Sequence, residues 1–208
     1  MYRITLCAAW VMVLFLGEVA AGDLGFEQTE EGILRRLLEP PKNIKNPVLR
    51  TRGKSGLTSP TTFKVRGITV VPRLSGQKDV VEKTLTIPRE RTGGYVNLAV
   101  RFDVNSYAIR PGSIGILDQL GAALAHPKLK ARSLFVNGHT DADGTETYNL
   151  RLSLNRAIAV RDYLVHNLDI ARSRLRVMGY GEGVPLVNNN SAQNKQKNRR
   201  VEIVANAP

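Results

Sequence analysis

The chain has 208 residues and carries 30 Lys or Arg against 18 Asp or Glu, a formal charge of +12 at neutral pH. That length accommodates one good domain and some additional sequence, but not two large domains. A single cysteine, Cys7, lies in the first apolar stretch, which excludes disulfides, thiolate catalysis and cysteine metal sites from the remainder.

Residues 1–21 hold Arg3, an apolar run of 13 residues from Ile4 to Leu16, and the small side chains of Val19-Ala20-Ala21. A run that short does not cross a hydrocarbon layer of about 30 Å, so the segment reads as a cleaved export signal. Between Arg35 and Arg73 ten Lys or Arg face one acid, Glu39. In an exported chain this basic segment suits an anionic membrane surface or an envelope protein. It does not interleave aromatics with its charges, and nucleic acid is not expected as a partner. The plain alternative is a solvated linker.

In chain order, Glu30 to Glu39 places Ile33, Leu34, Leu37 and Leu38 at helical spacing, and Pro40 to Thr62, with four prolines, reads as a linker. Phe63 to Val70 and Val80 to Ile87 suggest short strands. From Gly93 the pattern strengthens. Val96, Leu98, Val100 and Phe102 alternate as a strand with one buried face. Pro111-Gly112-Ser113 offers a turn and cap before a helix whose Ile114, Leu117, Leu120, Ala123 and Leu124 recur every three or four residues until His126-Pro127. Ser133 to Val136 is a strand. Tyr148 to His166 is a helix with Leu152, Ala157, Val160 and Leu164 on its buried stripe, Arg156 beside it, and Arg151, Arg161 and Asp162 turned away. Arg174 to Tyr180 reads as a strand, Gly181 to Asn190 as a loop and Val201 to Val204 as the last strand. The sum is an α/β layer.

The chemistry concentrates between the strand ending at Val136 and the helix carrying Arg156. Gly138-His139-Thr140-Asp141-Ala142-Asp143-Gly144 switches from apolar strand to polar turn. An acid at Asp141 and a guanidinium at Arg156, set on different elements, can take the ammonium and the carboxylate of one amino acid; alternatively the two pair with each other. Asp141 alone suits a turn or cap, and Arg156 alone a surface helix. The Asp141-Ala142-Asp143-Gly144 run lacks the later ligand spacing of a calcium loop. His126, His139 and His166 have no metal spacing and read as capping, packing or surface residues. No catalytic residue, metal or cofactor is assigned.

The ordered residues Phe102 to Ile109, Gly138 to Gly144, Tyr148-Asn149, Leu152-Ser153, Arg156-Ala157, Gly179-Tyr180-Gly181-Glu182 and Asn198-Arg199-Arg200-Val201-Glu202 resemble the OmpA-like peptidoglycan-binding domain, over about half the chain. The resemblance implies a βαβαββ fold with helices packed on one mixed sheet, spanning 93–208 after a basic region at 22–92. It implies binding of uncrosslinked peptidoglycan stems without chemistry, Asp141 and Arg156 holding meso-diaminopimelate and Asn149, Asp143 and Arg199 forming the surrounding shell. It also implies an exported, periplasmic protein, associated with the outer membrane or held by a partner, which anchors an envelope complex to the cell wall. One departure stands out: Lys195 occupies a position where the family usually has arginine, and lysine lacks the planar fork. Two other readings stay open. A wall-processing enzyme would need paired carboxylates or a zinc site with His ligands, neither of which is visible. A structural or stator subunit of an envelope machine would use the domain as a tether.

Overall fold

The alternating segments assemble into one six-stranded sheet. A computed structural model describes residues 24–39, 62–72, 78–88, 94–103 and 105–206; the segment read as an export signal and nearly all of the one read as a linker lie outside the described residues. The strands are β1 (Thr62–Pro72), β2 (Lys78–Pro88), β3 (Tyr95–Leu98), β4 (Leu134–Gly138), β5 (Leu175–Gly179) and β6 (Val201–Ala205). Their order is β2-β1-β5-β4-β6-β3. Among the described strands only β4 and β5 pair in parallel, and α4 (Glu146–Asn167) supplies the crossover that such a pair needs. The helices are α1 (Glu30–Leu38), α2 (Ile114–Ala125), the short α3 (Pro127–Lys130), α4 (Glu146–Asn167) and α5 (Ala192–Asn198).

The core joins Val96, Leu98, Val136 and Ile203 of the sheet to Leu117, Leu120, Leu124, Leu154, Val160 and Leu164 of the helices. Each such side chain contributes about 1.5–3 kcal/mol by leaving water. Ile33 and Leu37 of α1 are wholly enclosed in the same core, which therefore draws on residues before Gly93. So does the sheet. The two N-terminal strands, expected to be short, are each 11 residues long and form a hairpin whose Ile68 sits opposite Gly179 of β5. The Thr69 hydroxyl donates to the Val177 carbonyl at 2.7 Å beside that junction.

Two glycines set how closely α4 lies on the sheet. A Cβ at Gly138 would collide with the Ser153 carbonyl, and one at Gly179 would stand 2.6 Å from the Leu154 nitrogen. The N-terminal half of α4 is thereby pressed onto the C-terminal ends of β4 and β5, where the polar turn begins.

The α/β layer on a mixed sheet is as expected, with local corrections. β3 stops at Leu98 because its partner β6 begins at Val201, and Phe102 instead bridges Ile109 in a tight flap. Ser113 does not cap α2; its hydroxyl accepts the Arg101 N–H at 2.8 Å. The buried stripe of α4 uses Leu150 and Leu154, with Leu152 only half-buried. Arg161 is buried rather than turned away, since Asp162 beside it meets its charge at 2.9 Å. Finally, the segment around Lys195, for which no regular element was expected, is the helix α5.

Candidate functional site

Beyond Gly138 the chain stays buried for three more residues. The His139 N–H donates to the Arg200 carbonyl at 3.0 Å and the Thr140 N–H to the Gly181 carbonyl at 2.9 Å. The His139 ring stacks on Tyr180 with centroids 5.4 Å apart. These contacts deliver Asp141 to the mouth of the turn with 7% of its surface exposed. Its Oδ1 accepts the Asp143 N–H at 3.2 Å, closing a side-chain turn. Capping of α4 falls to Thr145, whose hydroxyl accepts the Tyr148 N–H at 3.3 Å.

Asn149 lies on the first turn of α4 and is 2% exposed. Its side-chain amide donates to the carbonyls of Asp141 at 3.4 Å and Asp143 at 3.0 Å, and to Glu182 Oε2 at 2.5 Å. A residue read from the sequence as part of a ligand shell thus shapes the loop that presents Asp141. Glu182, which helps to hold it, was not singled out from the sequence for a site role.

Arg156 projects from the middle of α4 into the same region, 8% exposed. Its Nε donates to the Ser106 carbonyl at 3.1 Å, and its guanidinium carbon lies 4.9 Å from the centre of the Phe102 ring. The flap carrying Ser106 and Phe102 is stapled by Arg110 Nε to Asp103 at 2.9 Å. It is tied to α4 by the Tyr148 hydroxyl, which donates to Asn105 Oδ1 at 3.2 Å. Burial holds the Arg156 pKa below the ordinary guanidinium value; Arg199 adds to that fall, while Tyr148 and Asp141 oppose it.

Asp141 and Arg156 do not form the direct ion pair that the sequence left open. The Asp141 carboxylate pairs with Arg199, just past α5. Among the described residues Arg156 has no ion pair. Asp143, exposed, pairs with Lys195 Nζ at 2.7 Å, and the other terminal nitrogen of Arg199 donates to Gln196 at 2.6 Å. All five predicted residues therefore converge on one face of the molecule. A cleft of about 290 Å³ opens there, walled by Phe102, Arg101, Arg110, Arg156, Arg199 and Arg200.

A larger cavity of about 360 Å³ lies between the β1–β2 hairpin and α4. Two arginines line it against five in the cleft, and one of them, Arg66, is already bound to Glu82 at 2.5 Å and to Glu146 at 2.9 Å. The arginine-lined cleft is the better candidate for a charged ligand.

The OmpA family profile matches residues 101–199. Outer membrane porin F of Pseudomonas aeruginosa is 37% identical over 112 residues, 54% of this chain and 31% of the porin. The YfiB protein of Escherichia coli K12 is 36% identical over 110 residues, 53% of this chain and 68% of YfiB. Peptidoglycan-binding protein ArfA of Mycobacterium tuberculosis is 35% identical over 118 residues, 55% of this chain and 33% of ArfA. The matched part thus spans about a third of the length of porin F and of ArfA and two thirds of YfiB. On the profile match and the coverage of YfiB, this chain belongs to the OmpA family.

Proposed function

We propose that the chain binds peptidoglycan without chemistry, holding a meso-diaminopimelate residue of a stem peptide between Asp141 and Arg156. The observation that carries this reading is the state of Arg156: a buried guanidinium with no acid partner among the described residues, on the wall of a cleft shared with Arg199, which in turn holds the Asp141 carboxylate. A buried charge is costly unless it is paired, so the site is complementary to a carboxylate. A ligand carboxylate between Arg156 and Arg199 would remove their mutual repulsion, and the adjoining ammonium would lie against Asp141. Diaminopimelate offers both groups on one carbon at the end of its side chain. The name of the relative ArfA, a peptidoglycan-binding protein, supports peptidoglycan as the ligand.

Asn149 serves by shaping the Asp141 loop, and Asp143 and Arg199 by bordering it. In this reading the protein is exported to the periplasm and tethers an envelope protein or assembly to the wall, with the basic segment from Arg35 to Arg73 meeting that partner or an anionic membrane surface. The test is co-sedimentation with purified diaminopimelate-type peptidoglycan. Asp141→Ala and Arg156→Ala should each weaken binding by about 1.5–3 kcal/mol. Unchanged binding in both variants, or release of sugar or peptide fragments during the assay, would overturn the reading.

A further inference from the structure

The cleft holds more positive charge than one carboxylate requires. Five arginines line it, and no Asp or Glu does. Arg199 is committed to Asp141 and Arg110 to Asp103. Arg200, 2% exposed, is fixed by hydrogen bonds to Asn97 Oδ1 at 3.0 Å, the Val184 carbonyl at 3.3 Å and the Asn198 carbonyl at 3.4 Å. That leaves two guanidinium groups, Arg156 and Arg101, with no carboxylate partner among the described residues.

Arg101 differs from Arg156 in its setting. Its side chain is exposed at the rim, but its backbone is pinned: the N–H donates to the Ser113 hydroxyl at 2.8 Å and the carbonyl accepts the Arg110 N–H at 3.0 Å. A charge on a fixed backbone at the edge of a cleft is a reader of ligand ends, because it reaches the bound molecule without reorganising the fold. It gains most from a group that arrives only with the ligand.

We infer that Arg101 is a specificity-determining residue, and that the preferred ligand is a stem peptide ending at diaminopimelate, whose main-chain carboxylate is free and is read by Arg101 while its side-chain carboxylate occupies Arg156. This rests on the diaminopimelate reading above and narrows its ligand class. A stem extended by one more residue, or amidated at that carboxyl, would present a neutral amide to Arg101. The second arginine then forfeits its charge-assisted contact. One such contact corresponds to about a tenfold change in affinity.

The experiment is titration calorimetry of the full chain with two synthetic peptides: L-Ala-γ-D-Glu-meso-diaminopimelate with a free main-chain carboxyl, and the same peptide amidated there. The wild-type protein should bind the acid about tenfold more tightly than the amide. Arg101→Gln should reduce that ratio to within about twofold, with the loss of affinity falling mainly on the acid. Its thermal melting should match the wild type, since only the main chain of Arg101 is held. A wild-type ratio within twofold would overturn the inference while sparing the diaminopimelate site. An Arg101→Gln variant that keeps the preference, or that weakens both peptides equally, would overturn it in the same way. Binding of neither peptide by the wild type would overturn the diaminopimelate reading and this one together.

Discussion

Asp141 takes Arg199 as its ion partner and leaves Arg156 bonded to the Ser106 carbonyl. The acid and the guanidinium that the sequence sets on opposite sides of the turn therefore stand as two ends of an arrangement open between them, with Arg199 poised beside both. Arg156 is thus without an acid partner among the described residues, whereas Asp141 would share its carboxylate between Arg199 and a ligand ammonium.

Arg156→Lys tests whether the planar fork matters at a buried position. Lysine keeps the charge but loses the bidentate geometry and the stack on Phe102. We expect peptidoglycan binding to weaken about tenfold or more with cooperative thermal unfolding retained, read by sedimentation and circular dichroism on the same preparation.

Consecutive arginines should separate stability from binding. Arg199 is over a third exposed and serves the cleft, whereas Arg200 is buried and satisfies three oxygens in the core. Arg200→Ala orphans those oxygens and leaves a void, for a loss of about 3 kcal/mol or more in urea unfolding. Arg199→Ala should cost about 1–2 kcal/mol of stability, because Asp141 keeps the Asp143 N–H, and should weaken binding about tenfold.

Gly138→Ala probes the approach of α4 to the sheet. The added Cβ meets the Ser153 carbonyl, which is helix backbone and cannot rotate away. Overpacking of this kind costs about 1–3 kcal/mol, and the displaced helix carries Arg156 with it, so melting temperature and binding should fall together.

The strands from β3 onward, α2 and α4 are legible in the sequence because each rests on local periodicity or on ordered motif residues, and the same motif residues bring Asp141 and Arg156 to one face. α5 is not. Its residues Ala192 to Asn198 are nearly all polar, only Asn198 is buried, and its start rests on one cap, the Ser191 hydroxyl accepting the Asn194 N–H at 3.1 Å. That cap and the lysines after it were the available signal for a helix that supplies Lys195 to Asp143. The burial of Arg161 was hidden because a charged residue reads as outward unless its partner, here the adjacent Asp162, is known. The joining of the N-terminal hairpin to β5 at Ile68 and Gly179 is a non-local pairing that no local pattern encodes. Within the site, Ser106 and Phe102 reach Arg156 through the flap fold, so their contacts follow from tertiary geometry and not from spacing.

The most direct test of the central claim compares two stem peptides by titration calorimetry: one with meso-diaminopimelate at the third position, the other with lysine. Lysine keeps the ammonium for Asp141 and removes the side-chain carboxylate for Arg156. The clamp predicts binding of the diaminopimelate peptide and at least about tenfold weaker binding of the lysine peptide, a difference abolished in Arg156→Ala. Equal affinity for the two peptides in the wild-type protein would contradict it.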